Sequence, residues 1–200
     1  MAKDRNPNQI TRVDGKNVFF EVMNNCFSLG EGKVQINFVE YDPNNDNKQT
    51  KLIPIYMDFQ DFLIIAQDVK SGRIAKYQAD HKNDQYPYIV EEYTLLGGTS
   101  AKKLKEKGQE RADGKSLSRQ FKLVVGKKFI FQAEMGVGHE NEKGLIVPDY
   151  KTSTAEAVVK VPMDAKALKG MILLVEKHIE AFISKGYMNG NYDYKKVNNK

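Results

Sequence analysis

Apolar and polar residues alternate along much of the first half of the chain. Between Lys33 and Tyr41, the apolar side chains of Val34, Ile36 and Phe38 occupy every second position. Successive side chains of a strand point to opposite sides of a sheet, so this spacing predicts a strand with one buried face. On the same grounds we predict strands over 18–23 and 51–57, and extended structure over 26–29.

The hydrophobic period changes to that of a helix after residue 57. Apolar residues recur at intervals of three and four, at Phe59, Phe62, Leu63, Ala66 and Val69. This spacing places them along one side of an amphipathic helix. The Asp58 carboxylate is expected to accept hydrogen bonds from the first turn, and Gly72 is expected to end the helix.

The second half of the chain repeats this order of elements. Strands are predicted over 88–96, 117–125, 128–135 and 155–161, and a helix follows Asp164. The apolar stripe of this helix comprises Leu168, Met171, Ile172, Val175, Ile179, Phe182 and Ile183. The remaining segments are predicted to lack regular structure: 1–12, 81–87, the Gly97–Ser100 turn, the basic stretch 102–119, the loop 136–153 and a mobile tail 187–200.

The matched endings of the two halves suggest an internal duplication. Met57-Asp58 and Met163-Asp164 each stand between a predicted strand and a predicted helix. Each half also has a Gly-Lys turn before an alternating strand, and matching the faces requires Lys33 to correspond to Lys128. We therefore predict an α+β fold in which one compact domain contains two units, 17–72 and 88–186. Each unit has an antiparallel four-stranded sheet followed by one helix. The alternative is that capped helices follow strands in any α+β chain.

Composition narrows the class of protein. The 200 residues carry a net charge of +5 and include one cysteine, Cys26, which excludes a disulfide framework. No signal segment opens the chain, and its longest apolar runs are too short to span a bilayer, so we expect a cytoplasmic protein with no membrane partner. The basic charge permits a polyanionic partner.

The polar faces of the predicted sheets hold the candidate binding residues. Lysines neutralise phosphates, amides hydrogen-bond base edges and tyrosines stack on bases, so these faces suit a single-stranded nucleic acid. The candidates are Lys33, Gln35, Asn37, Tyr41 and Tyr56 in the first unit, and Gln120, Lys122, Lys128, Gln132 and Lys160 in the second. The ordinary alternative is a solvated sheet face, on which lysines also blunt exposed edges.

The basic stretch 102–119 within the second unit adds further candidates. It contains Lys102, Lys103 and Arg119, together with Gly108 and Gly114. A glycine-containing basic segment can order on a bound strand, and we interpret this one either as such an arm or as a solvated loop.

The first unit resembles a known family in one continuous run. Residues 32–43 read Gly-Lys-Val-Gln-Ile-Asn-Phe-Val-Glu-Tyr-Asp-Pro, and they are followed by a polar loop, Ile53-Pro54-Ile55 and a capped helix. This order resembles the single-stranded-DNA-binding domain of the transcriptional coactivator positive cofactor four. The Whirly proteins are similar and contain two such units in one chain. The resemblance implies curved sheets, single-stranded DNA binding and a tendency to form homo-oligomers.

The resemblance also implies roles for particular residues. It supports DNA contacts by Lys33 and, through the repeat, by Lys127 or Lys128. The basic and aromatic residues that the family has before this turn are replaced here by Gly30 and Glu31. Tyr41 or Tyr56 is then expected to supply the stacking ring.

The expected function is single-stranded DNA binding with little sequence preference, in replication, transfer or repair, as on a mobile element. The three histidines lack metal-ligand spacing, and no set of residues suggests a catalytic site. We therefore expect no metal, no cofactor and no enzymatic activity. Three alternatives stay open: an RNA-binding protein, an OB-type barrel with the same role, and a protein-interaction or assembly module.

Overall fold

The computed structural model describes residues 6–46 and 48–190. The first half forms an antiparallel sheet in which four strands lie in chain order. These strands are β1 (Gln9–Asp14), β2 (Val18–Met23), β3 (Lys33–Asp42) and β4 (Lys48–Asp58). Helix α1 (Phe59–Ser71) follows directly, and Gly72, at φ +83°, separates it from α2 (Arg73–His81).

The second half forms a larger antiparallel sheet of six strands. It begins with β5 (Tyr88–Ile89), a 3₁₀ turn (Glu91–Tyr93), β6 (Leu95–Thr99) and the short helix α3 (Ala101–Glu106). The long hairpin of β7 (Ser116–Val125) and β8 (Phe129–Glu140) forms its centre. Then come β9 (Ile146–Pro148), a 3₁₀ turn (Thr152–Thr154), β10 (Ala157–Met163) and helix α4 (Ala165–Met188).

Several segments differ from the sequence prediction. The stretch 1–12 contains part of β1, whereas Cys26–Leu29 forms no strand, and α2 occupies a segment for which the sequence predicted no element. The second sheet has six strands rather than four. Residues 102–119 and 136–153 include regular elements, and α4 continues to Met188. Residues 191–200 of the predicted tail lie outside the described part.

The two sheets share one continuous core. Alternate residues of β3 are buried, as the sequence pattern predicted, and the Phe20 and Phe38 side chains are fully buried among them. The Phe20 ring stacks on that of Phe131, with centroids 5.3 Å apart, and Phe38 lies 6.3 Å from Phe121. The inner faces of the two sheets therefore pack against each other as well as against the helices. We call the opposite side of each sheet its outer face.

Both sheets have the same register where the chain leaves for a helix. Val34 of β3 lies opposite Met57 of β4, and Phe129 of β8 lies opposite Met163 of β10. The two helix starts differ in their side-chain contacts. Asp164 accepts a hydrogen bond from the Ala167 amide at 2.8 Å, as predicted, whereas Asp58 makes no such bond and pairs with Lys33.

The helices also bear on the question of membrane insertion. Among the described residues, none of the helices combines the length and the apolar character that crossing a membrane would require.

Candidate nucleic-acid interface

A groove of about 780 Å³ lies between the edge strand β4 and strand β6. It brings together four of the residues that the sequence analysis selected: Lys33, Tyr56, Lys103 and Arg119. Its wall also includes Asp58, Asp61, Leu95, Leu96, Gly97, Gly98, Thr99, Lys107, Gln109 and Leu145. We refer to this feature as the groove. Its position between the two sheets makes it a product of their packing.

Tyr56 supplies the exposed aromatic ring of the groove. It lies on the outer face of β4, opposite Gln35 of β3, and 49% of its surface is accessible. An exposed tyrosine ring of this kind offers a flat apolar surface on which a base can stack.

Arg119 is the most unusual charged residue of the groove. Its Nη1 donates to the Thr99 hydroxyl at 3.0 Å, and its buried Nε has no hydrogen-bond partner within residues 6–46 and 48–190. Burial lowers the pKa of Arg119, and the nearby Tyr56 opposes this shift. Within the described ranges, every other arginine pairs with a carboxylate, so Arg119 alone has its charge uncompensated.

The charged residues of the groove form two sets. In the first set, Lys33 pairs with Asp58, and Asp61 lies close to both. Burial and the neighbouring Asp58 raise the pKa of Asp61, while Lys33 opposes them. The second set consists of Arg119 and the α3 lysines Lys103 and Lys107, which pair with no carboxylate of the described residues. An anionic ligand would therefore be held by the second set.

The outer face of the first sheet is polar and partly accessible. Gln35 donates to the Asn37 side chain at 2.7 Å, and Asn37 donates to Glu21 at 3.1 Å. The Tyr41 ring lies beside Phe19, with centroids 6.1 Å apart. Gln35, Asn37 and Tyr41 thus lie on the predicted side of the sheet. The side-chain amides of Gln35 and Asn37 are hydrogen-bonded in a row that ends at Glu21.

The outer face of the second sheet is covered, contrary to prediction. The segment 149–156, which we call the strap, lies over it, and Gln120 and Gln132 are buried. Lys122 donates to Glu134 at 2.7 Å, and the exposed fractions of these side chains are 11% and 0%. The prediction of an open polar face around Lys122 is therefore wrong.

Polar groups of the strap complete this buried cluster. Thr152 donates to Glu134 at 2.9 Å and accepts from Lys122 at 3.1 Å. The Tyr150 ring packs so closely on Gly136 that a Cβ there would lie 2.9 Å from it, and burial raises the pKa of Tyr150. Glu134 Oε2 has no hydrogen-bond partner among the described residues.

The basic stretch is not an unattached arm. Arg111 donates to both oxygens of Glu156, at 2.6 and 2.9 Å, and also binds Asp113. These contacts tie the stretch to the end of the strap. The stretch also includes α3, while Arg119 belongs to β7, so its predicted DNA-contacting residues are held by regular structure.

Four further predicted residues lie outside the groove, in addition to those of the two outer faces. Lys127 and Lys128 are exposed at the β7–β8 turn, beyond the end of β7 at Val125, which lies about 20 Å from Arg119 at 3.3 Å per residue. Lys160 is exposed on β10, and Lys102 is exposed on α3 without lining the groove. Conversely, Gly97, Thr99 and Lys107 line the groove but were not selected. In the sequence, Gly97 and Thr99 belonged to the predicted Gly97–Ser100 turn and Lys107 to the basic stretch, and Gly97–Thr99 proves to be part of strand β6.

Comparison with known proteins adds no relative. A scan against protein-family models, a search of curated proteins and a search of solved structures each found no match to this chain.

Proposed function

We propose that this protein binds single-stranded DNA with little sequence preference, without catalysing a reaction. The observation that supports the proposal best is the groove between the two sheets, because it brings Tyr56, Arg119 and Lys103 together. An exposed ring beside unpaired cations is the arrangement that single-strand binding uses, because stacking tolerates any base and cations follow the phosphates.

The proposal includes a Whirly-like duplication of the chain. Its support is the shared register of the β3–β4 and β8–β10 pairs, which puts Met57 and Met163 at matching positions before α1 and α4. Under this alignment Lys33 corresponds to Lys128. Only Lys33 lies in the groove, so the two units would contribute unequally to binding.

The mechanism assigns different tasks to different parts of the groove. Arg119, Lys103 and Lys107 neutralise phosphates, and a base stacks on Tyr56, a contact worth about 1–3 kcal/mol. The row of Gln35 and Asn37 lies beyond Tyr56 and offers hydrogen bonds to base edges. A duplex presents paired and stacked bases, so it cannot use the Tyr56 ring in this way.

Fluorescence anisotropy with a labelled oligo-dT of about 30 nucleotides tests the proposal. We expect binding that weakens as salt rises, with a log–log slope of about −0.7 for each phosphate contact. An unlabelled duplex should compete poorly. We also expect Tyr56→Ala to lower the affinity by about 5- to 150-fold, which corresponds to 1–3 kcal/mol. Tyr86→Ala provides the control, because Tyr86 is 74% exposed but does not line the groove.

The outcome of this titration is decisive in either direction. No binding at low salt would refute single-stranded DNA binding. Equal competition by duplex, or equal losses in the two tyrosine variants, would contradict the stacking role of Tyr56. A competing oligo-rU of the same length distinguishes an RNA preference from a DNA preference.

A further inference from the structure

Arg119 and Gly97 are direct neighbours across two strands. They are paired in the β6–β7 register, and Thr99, which accepts the hydrogen bond from Arg119, is two residues further along β6. Residues two apart on a strand share a face, so Gly97 and Thr99 both lie on the side that Arg119 faces. The guanidinium therefore lies beside a strand position that has no side chain.

The fold itself does not require glycine at position 97. A Cβ built there would have no atom within 4 Å, and its φ is outside the left-handed region. Gly98 differs, because its φ is +158° and a Cβ would lie 2.2 Å from the Leu117 carbonyl oxygen. Glycine within a strand weakens it unless a bulge, a bend or a close approach of a ligand accounts for it. Packing accounts for Gly98, whereas at Gly97 only open space is found.

The charge around this space points to the kind of ligand that fills it. In the described part of the chain, the neutral Thr99 hydroxyl is the only side-chain hydrogen-bond partner of Arg119, and Lys103 and Lys107 line the same groove. Guanidinium groups bind phosphate oxygens in a bidentate manner, and a cation held out of water gains most from such a partner.

We propose that Arg119 and the space above Gly97 form a seat for one phosphate group, which places the backbone of the bound strand against β6. This inference rests on the proposed function, since it assigns one phosphate of the strand to a defined position. The phosphate is a phosphodiester of the strand or a free phosphate monoester, and both share the chemistry that Arg119 recognises.

Two variants test the seat from opposite directions. Arg119→Gln removes the cation, and Gly97→Val fills the space while leaving every charge in place. Gly170→Val is the control for adding a valine, because a Cβ at Gly170 on α4 also meets nothing within 4 Å. Thermal melts by circular dichroism establish that each variant is folded.

With oligo-dT, we expect Arg119→Gln to make the salt slope shallower by about 0.7, the contribution of one phosphate contact to a single strand. Gly97→Val should produce a similar loss, and Gly170→Val should bind as the wild type does. If the wild type binds and both groove variants retain its affinity and slope, the seat is refuted while single-stranded DNA binding stands.

If the wild type does not bind oligo-dT, the proposed function fails and the seat is judged separately. Inorganic phosphate and thymidine monophosphate are then titrated in ¹⁵N-correlated NMR spectra. Ligand-induced shifts of the Gly97 amide and Arg119 Nε signals in the wild type, with no shift of the Arg119 Nε signal in Gly97→Val, would support a seat for free phosphate. Unchanged signals would overturn it.

Discussion

The outer faces of the two sheets share a polar pattern but have opposite environments. In the first sheet, Gln35 and Asn37 remain partly accessible, whereas in the second sheet Gln120 and Gln132 are buried beneath the strap. Alternation shows that these residues point away from the main core. It does not show whether water or another part of the chain covers them.

The lysine–carboxylate pairs of the two sheets differ in solvent exposure in the same way. The Lys33 and Asp58 side chains are 43% and 55% exposed, whereas those of Lys122 and Glu134 are 11% and 0% exposed. An exposed pair contributes little because water screens it. Removing one member of a buried pair leaves an uncompensated charge out of water, which is costly.

The largest expected effect comes from breaking the buried pair. We expect Lys122→Ala to lower the free energy of unfolding by about 3–5 kcal/mol. Lys33→Ala, the matched control in the first sheet, should cost at most about 1 kcal/mol. Urea unfolding of both variants measures the contrast, and equal losses would show that burial does not distinguish the pairs.

The double variant Lys122→Met with Glu134→Met sharpens this result. Replacing both members of a buried ion pair by apolar residues is often neutral or stabilising. We therefore expect it to be more stable than Lys122→Ala alone. A double variant as unstable as the single one would indicate that packing, rather than the unpaired Glu134 charge, causes the loss.

A smaller effect is expected from displacing the strap. Gly136→Val places atoms where the Tyr150 ring lies, and overpacking of this kind typically costs about 1–3 kcal/mol. Amide hydrogen exchange should accelerate in residues 149–156. Gly97 is also a strand glycine of the second sheet, but a Cβ there would have no atom within 4 Å. Gly97→Val should therefore leave hydrogen exchange in the strap unchanged. Equal protection of the strap in both variants would contradict the proposed packing of Tyr150.

The smallest expected effect is a weakening of the strap in acid. Hydrogen bonds from Arg111 lower the pKa of Asp113 to about 2, and they also lower the pKa of Glu156. A carboxylate whose folded pKa is depressed stabilises the fold fully above its unfolded pKa, near 4. That stabilisation is lost as the pH falls through the folded value.

Carboxyl-carbon NMR titration checks this expectation. The Asp113 midpoint should lie near 2, and the Tyr150 amide signal should change over the same range as Asp113 and Glu156 titrate. In Arg111→Gln, both carboxyl midpoints should return towards ordinary values. Midpoints that stay unchanged in this variant would show that Arg111 does not hold the strap.

Most strands and both long helices could be predicted because their signals are local. The alternation in β3 and the stripe along α4 arise from residues close in sequence, and each specifies its own buried face. The β1 strand escaped prediction because a mostly polar segment contributes only Ile10 and Val13 to the core. Helix α2 escaped it because Ile74 is its only buried residue.

The candidate site was only partly predictable for a related reason. Tyr56 and Arg119 could be selected by residue type and position. Because 62 residues separate them in the chain, the sequence did not indicate that they line one groove. Gly97 was only a weak signal in the sequence, because the role of a strand glycine becomes evident only when its neighbour across the sheet is known.

The sequence by itself determined the main strands and the two long helices, the buried face of each of these, and the predominance of positive charge. Tertiary structure alone decided which polar residues face water. The strap buries Lys122, and the packing of two sheets leaves Arg119 without a carboxylate beside an open groove. Local patterns specify the faces of single elements, whereas the covering of those faces depends on contacts between residues far apart in the chain.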